Sequence, residues 1–165
     1  MRRACSMSTT LGGLGFNSLG RLSSAAPASA AAAATSASRR TIAASAVHLL
    51  ARTDLQALFG LESLAEVPVS GEITLPDGRA VAVAGRIDRL AVDGGTVWIA
   101  DYKSGQGPAS PGQVRPSTLS QIAVYHALVQ EVYRGHEVRS LVVYLGNGAV
   151  IEPGPALREA ALGAA

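Results

Sequence analysis

Two aspartates and one lysine have types and spacing that could carry out metal-dependent hydrolysis. Asp101 and Lys103 lie two positions apart at the end of an apolar run, and Asp88 lies upstream across a short turn. Carboxylate oxygens are the ligands that Mg²⁺ prefers, and a metal so held polarises a phosphate oxygen and activates water. A neighbouring ammonium group can position that water or stabilise charge on phosphorus. These residues therefore predict a site for phosphoester hydrolysis.

Lys103 is the only lysine in the chain, whereas arginine occurs thirteen times. Lysine suits this chemistry because its ammonium group is a compact charge with a pKa that the surroundings shift, and arginine is a poor substitute. The alternative interpretation is a solvated ion pair at the end of a strand, which contributes little to the stability of the fold. Asp88 on a neighbouring strand and the apolar run before Asp101 favour the catalytic interpretation.

Two predicted strands position these residues. Residues 79–91 alternate in character, and residues 96–102 form a nearly continuous apolar run that is typical of a strand buried on both faces. A Gly-Gly turn joins them, so the strands should pair antiparallel. Asp88 and Asp101 then lie roughly opposite each other. Asp101 and Lys103 point to the same side, because strand side chains alternate between faces.

The remaining segments indicate further helices and strands around this hairpin. We predict one or two short helices between residues 41 and 59, a strand over 67–73 interrupted near 70–71, a helix from 117 or 118 to about 134, strands at 138–145 and 149–152, and a short helix from 155. This order predicts an α/β (α+β) domain with a mixed β-sheet flanked by helices.

The charges divide the chain into two unlike parts. Residues 1–53 contain six arginines and no acid, for a net charge of +6, whereas residues 54–165 carry a net charge of −4. The acidic second part excludes a protein that coats nucleic acid through a uniformly basic surface. Cys5 is the only cysteine, which excludes a disulfide framework and a cysteine-based zinc site. No apolar run is long enough to predict a transmembrane helix.

Residues 1–45 are a low-complexity segment dominated by Ser, Ala, Gly and Thr. We predict a disordered leader here and a folded domain over residues 46–165, because so few large apolar residues cannot offset the entropy of ordering. The segment has the composition of an organellar transit peptide. We favour a non-native leader, produced by an upstream start site or by truncation of a longer gene, over such a transit peptide. A secretory signal is disfavoured, since no compact apolar region follows the early arginines.

Three motifs together resemble a known nuclease family. GRIDRL (85–90), WIADYKSG (98–105) and QIAVY (121–125) are similar in order and spacing to RecB-family nuclease domains of the PD-(D/E)XK superfamily. The similarity is greatest to the C-terminal nuclease domain of AddA helicase–nuclease subunits and covers roughly residues 48–162. It implies a restriction-endonuclease-like fold. It also implies an exonuclease-type deoxyribonuclease, dependent on Mg²⁺ (or Mn²⁺), that acts in double-strand break repair in the bacterial cytoplasm.

The resemblance also implies roles for individual residues. Asp88 and Asp101 match the metal-binding acids of the family, and the backbone carbonyl of Tyr102 would be a further ligand. Lys103 matches the lysine near the attacking water.

Three further residues match supporting positions of the family. Gln121 and Tyr125 match a helix motif beside the active site and the DNA strand; from their spacing alone, an ordinary pair at a helix boundary would be favoured. Glu66 matches an upstream acid that binds the metal or supports a ligand.

The sequence also departs from the family. His48 lies too close to Glu66 to be the upstream motif histidine, so we expect an ordinary helix residue there and surface residues at His126 and His136. A phosphate loop needs a lysine, and Lys103 is the only one, so the chain has no helicase motor. We expect an N-terminally truncated nuclease domain that acts on DNA beside an AddB-like helicase–nuclease partner subunit.

Two other functions stay open. The first is a catalytically silent nuclease-fold remnant that docks DNA or a partner, which the incomplete upstream region and the −4 charge of residues 54–165 favour. The second is an imported organellar protein from which residues 1–45 are removed.

Overall fold

Five extended segments form one β-sheet in the computed structural model, which describes residues 28–164 and side chains from residue 39 onward. In sheet order they are β1 (Leu64–Thr74), β2 (Ala80–Asp93), β3 (Thr96–Lys103), β4 (Glu137–Tyr144) and β5 (Val150–Ile151). All neighbours pair antiparallel except β3 and β4, which are parallel. The predicted mixed sheet is therefore confirmed.

Helices cover both faces of the sheet. They are α1 (Ala28–Leu50), α2 (Gln56–Phe59), α3 (Pro116–Val132) and α4 (Pro155–Gly163), with 3₁₀ turns at Thr53–Leu55 and Pro111–Gln113. Because β3 and β4 are parallel, their connection must cross over the sheet, and α3 makes that crossing. Between residues 28 and 164, no helix has the length and apolar character needed to span a membrane.

The side chains of β3 alternate between two apolar cores. Val97 and Ile99 are fully buried in the larger core together with Ile122 of α3. Ala100 belongs to the second core, on the opposite face, where it is clustered with Leu58 of α2. Burial of β3 on both faces agrees with its apolar run. By the same alternation, the residues that follow Ile99 at two-residue steps face α3.

The turn between β2 and β3 fixes the register of this hairpin. Asp93 pairs with Thr96, so the loop contains only Gly94 and Gly95, with φ of 54° and 90°. Two consecutive positive φ values match the twist of a two-residue hairpin, and glycine adopts them without steric cost. The predicted Gly-Gly hairpin is thus confirmed.

The structure differs from the predicted strands at two places. β1 is not interrupted near residues 70–71, because Ser70 and Gly71 pair with Ala84 and Val83 through backbone groups that small residues also possess. The irregularity lies instead at Glu66, which has a φ of 54°. Strict alternation in β2 also fails, since its buried positions include 84, 87 and 90, three residues apart. Both deviations lie near Asp88.

The first described helix begins inside the predicted leader. Residues 1–27, where the rest of that leader lies, are outside the described residues. Helix α1 overlaps the predicted leader over residues 28–45, of which residues 41–45 also belong to the segment predicted to form short helices. Alanine, the most favourable helix former, accounts for a helix in this Ala-rich stretch. The domain boundary at residue 46 stays a prediction.

The expectation that His126 and His136 are surface residues is wrong. His126 is half-buried on α3, where Nδ1 lies 2.7 Å from the hydroxyl of the fully buried Ser140. Nδ1 of His136 is buried as well. Burial, with a smaller contribution from Arg158 of α4, lowers the pKa of His126 to about 4, and Glu152 opposes the shift.

Acid should destabilise the fold through His126. The unfolded chain binds this proton near pH 6.5 and the folded chain near pH 4, so stability is complete above 6.5 and falls toward 4. Because the ring is partly exposed, we expect a loss of about 1–2 kcal/mol. Urea unfolding at several pH values should show a smaller loss for His126→Asn, whose amide can reach Ser140 but does not titrate. His48→Asn, at an exposed position, is the matched control. An equal loss of unfolding free energy with falling pH in all three proteins would contradict the role of His126.

Candidate active site

Strands β2 and β3 stop pairing where the predicted site begins. Their last pair is Arg89 with Ala100, and the same register brings Asp88 and Asp101 to the next position. Beyond this pair, the carboxylate of Asp88 takes the place of a backbone acceptor, since its Oδ2 accepts the Tyr102 N–H at 2.7 Å. A side chain thus continues the link between the strands, which fixes the Asp88 carboxylate beside β3.

Asp101 is a buried acid at the end of the central strand. Only 3% of the residue is exposed. Burial raises the pKa of Asp101 and the charge of Asp88 adds to this rise, while the Lys103 ammonium opposes it. The Asp101 carboxylate is therefore held in a setting where its negative charge is poorly solvated and a further cation would be favoured.

Lys103 lies between Asp101 and helix α3. Its Nζ is 2.7 Å from Oδ2 of Asp101, and it donates a hydrogen bond to Oε1 of Gln121 at 3.0 Å. The lysine side chain is 22% exposed, so it lies at the edge of the buried cluster. Apart from this ion pair, the buried Oδ2 of Asp101 has no hydrogen-bond donor among the described residues.

Tyr125 connects this cluster to β2. Its hydroxyl accepts the side-chain N–H of Gln121 at 3.4 Å and the backbone N–H of Arg86 at 3.3 Å. The tyrosine is 6% exposed and belongs to the larger apolar core. The structure therefore brings Asp88, Asp101 and Lys103 together with the two predicted helix residues.

Glu66 is placed differently. Its side chain is 63% exposed and forms an ion pair with Arg86 at 3.3 Å. Among the residues that the structure describes, no three His, Cys, Asp or Glu side chains are grouped closely enough to hold a metal. The carboxylate of Glu66 therefore does not join Asp88 and Asp101, although its backbone lies across from Asp88 in the register of β1 and β2. Its role as a ligand or supporting acid stays a prediction.

The chemistry of the donor set fits a divalent cation. Two carboxylates are close enough for one to raise the pKa of the other, and the buried Oδ2 of Asp101 has only the Lys103 ammonium as a partner among the described residues. A hard cation takes oxygen ligands of this kind and keeps several waters, so two carboxylates can suffice. The residues that would hold it are Asp88 and Asp101, with the carbonyl of Tyr102 as the further ligand that the family resemblance implies.

Gly85 and the backbone N–H of Arg86 both contact Tyr125, although no role was predicted for either. Glycine in the interior of a strand commonly marks a close approach of another group, and this signal was present in the GRID motif. The hydrogen bond from Arg86 had no counterpart in the sequence, because any non-proline residue can supply a backbone N–H.

A sequence profile of one superfamily matches most of this chain. The sequence profile described as PD-(D/E)XK nuclease superfamily matches residues 17–163. No curated protein matches the sequence. Among solved structures, one titled "Crystal structure of SSO0001" is similar at 19% identity with a TM-score of 0.42, over 72% of this chain and 53% of that one. The chain thus spans about half the length of that protein. Because the profile match includes most of the chain, the protein belongs to the PD-(D/E)XK nuclease superfamily.

Proposed function

We propose that this domain hydrolyses phosphodiester bonds of DNA with Mg²⁺ (or Mn²⁺) held by Asp88 and Asp101. The observation that carries the proposal is the buried carboxylate of Asp101, which lies close to that of Asp88 and has the Lys103 ammonium at 2.7 Å as the only partner of its Oδ2 among the described residues. One ammonium group leaves two neighbouring carboxylates with a net negative charge, and burial keeps the pKa of Asp101 raised in spite of it. Negative charge left for a cation is consistent with a nuclease of this superfamily.

Each residue has a distinct task in this proposal. Asp88 and Asp101 bind the cation, and the carbonyl of Tyr102 completes the protein ligands. When bound, the cation lowers the pKa of water and neutralises charge on the phosphate. Lys103 directs its ammonium group toward the attacking water and stabilises developing negative charge. Gln121 holds that ammonium group through its side-chain oxygen at 3.0 Å.

We further propose a RecB-type assignment for this nuclease. The motifs GRID, DYK and QIAVY occur in the order of that family, and their Asp, Lys, Gln and Tyr side chains meet in one cluster. The AddA-like similarity favours an exonuclease that acts in double-strand break repair in the bacterial cytoplasm. An AddB-like helicase–nuclease subunit would then deliver the DNA strand, because these 165 residues contain no phosphate loop.

A catalytically silent docking module is the second candidate. The exposed position of Glu66 favours it, since only two carboxylates are left for the cation. Calorimetric titration with Mn²⁺ separates the candidates, because the nuclease should bind the ion and lose that binding in Asp88→Asn. A silent module should bind DNA but should show no Mn²⁺ binding, in the wild type or in Asp88→Asn.

Purified protein should degrade linear double-stranded DNA when Mg²⁺ is present and stop when the ion is chelated. The reason is that the two carboxylates and the lysine supply no substitute for the charge of the cation at the phosphate. Gel analysis of end-labelled linear DNA measures this activity. Covalently closed circular DNA is the control, because an exonuclease needs an end.

Three results would count against the proposal. Degradation that continues in excess EDTA would contradict the metal dependence. Cleavage of the closed circular DNA would show that the protein is an endonuclease and not an exonuclease. Linear DNA left intact with both Mg²⁺ and Mn²⁺ would refute the enzyme and favour the docking module.

A further inference from the structure

The ring of Tyr125 lies directly on the backbone of Gly85. A Cβ atom built on Gly85 would be 2.6 Å from the tyrosine hydroxyl oxygen and 2.9 Å from Cε1, closer than such contacts occur. The φ of Gly85 is not positive, so the backbone conformation alone would accept alanine. Space for the tyrosine ring, rather than backbone freedom, is therefore what glycine provides at this position.

A chain of contacts leads from this point to the lysine. The Tyr125 hydroxyl accepts the backbone N–H of Arg86 on one side and the amide N–H of Gln121 on the other. With its nitrogen directed to the tyrosine, the Gln121 amide turns its oxygen to Nζ of Lys103 at 3.0 Å. The orientation of Gln121 thus depends on the place of the tyrosine hydroxyl, and that place depends on the absence of a side chain at Gly85.

We propose that Gly85 is a positioning residue, which acts through Tyr125 and Gln121 to hold the ammonium group of Lys103 at the candidate active site. The inference rests on the proposed function, in which Lys103 acts on the attacking water. Lysine needs such support because a flexible chain of four carbons separates its charge from the backbone. A displacement of about 1 Å at a reacting group can reduce a rate by about 10²-fold.

The single lysine allows a test that does not depend on activity. With lysine labelled by ¹³C at Cε, the full chain gives one side-chain signal, that of Lys103. Relaxation of this signal should show a restrained side chain in the wild type and faster motion in Gly85→Ala. Tyr125→Phe, which removes only the hydroxyl, should have the same effect and guards against misfolding of the glycine variant. Gly112→Ala is the matched control, because a Cβ there meets nothing within 4 Å.

Kinetics supply the second measurement. Gly85→Ala and Tyr125→Phe should each lower kcat by about 10–100-fold with little change in KM or in Mn²⁺ affinity, because the metal ligands are not displaced. In a double-mutant cycle, Gly85→Ala should add nothing to Tyr125→Leu, since the ring through which the glycine acts is then absent.

The failures of the two proposals can be told apart. If the wild type cleaves no DNA, the proposed nuclease fails, while the lysine signal still reports whether Gly85 positions Lys103. If Gly85→Ala keeps the wild-type lysine signal and kcat, the positioning role is refuted and the nuclease stands. Additive losses in the double-mutant cycle would likewise refute it, because the glycine would then act by another route.

Discussion

Asp101→Asn should lower DNA cleavage by about 10³-fold or more and leave the domain at least as stable as the wild type. The loss follows because an amide cannot supply the negative charge that a divalent cation requires. Binding of Mn²⁺ should disappear together with activity. The side-chain shape is preserved, so the change removes the charge of Asp101 and little else.

The stability part of this result follows from the pKa of Asp101. Burial raises it above the ordinary value, so the folded chain holds this proton more tightly than the unfolded chain does. The stabilisation from the protonated acid is present at low pH and is lost as pH rises through the folded pKa. Ionisation of Asp101 without metal therefore costs stability, and asparagine removes that cost.

Thermal unfolding at pH 7.5 without metal, Mn²⁺ titration and a cleavage assay together check Asp101→Asn. Asp93→Asn is the matched control, since it makes the same change in the exposed turn at the far end of β2. A clear drop in unfolding temperature for Asp101→Asn alone would show that the carboxylate stabilises the fold. Retained cleavage would exclude Asp101 as a metal ligand.

Lys103→Met should lower kcat by about 10²–10³-fold while Mn²⁺ still binds. The methionine side chain is similar in length but has no charge to place beside the water or the phosphate. Lys103→Arg should restore little, because the planar guanidinium cannot occupy the place of a compact ammonium between Asp101 and Gln121. Metal affinity should be kept or increase, since removing a cation leaves the carboxylates more negative locally.

Single-turnover cleavage rates and Mn²⁺ titration measure the two parts of the Lys103 prediction separately. Arg134→Met provides the control, because it also removes one positive charge but lies on the exposed surface, where its side chain is 81% accessible. It shows how much of any loss comes from weaker attraction to DNA. Equal rates for Lys103→Met and Arg134→Met would rule out a catalytic lysine.

The candidate active site lies where β2 and β3 stop pairing. Beyond Arg89 and Ala100, β2 and β3 are no longer paired, and Asp88 contacts β3 through its side chain. Because β3 continues to pair with β4 through Lys103, the acid and the lysine sit on a rigid strand next to this gap. A site on a rigid strand holds catalytic groups more accurately than a loop would.

Several elements were predictable from the sequence because their causes are local. The Gly-Gly turn determines the β2–β3 hairpin, and the hairpin in turn brings Asp88 toward Asp101. The apolar run of β3 predicts burial on both faces, which the two cores on either side confirm. Helix α3 begins at Pro116, one residue before the predicted capping serine, since proline is favoured in the first helical turn.

Other features depended on groups that are distant in the sequence. Arg86 and Tyr125 are 39 residues apart in the sequence, so their contact depends on where α3 packs along the strands of the sheet. The half-burial of His126 against Ser140 has the same origin, and the helix pattern alone placed that histidine at the surface. Glu66 has a positive φ and an exposed side chain, neither of which any motif indicated.

The sequence by itself thus determined the types of the chemical groups, their order and the hairpin that joins the two aspartates, because turn geometry and side-chain alternation act over a few residues. Only the tertiary structure decided that Oδ2 of Asp101 is buried against the Lys103 ammonium, that Gln121 supports Lys103, and that Gly85 makes room for Tyr125. These features arise from the packing of α3 on the sheet, and packing is a property of surfaces that meet across long stretches of chain.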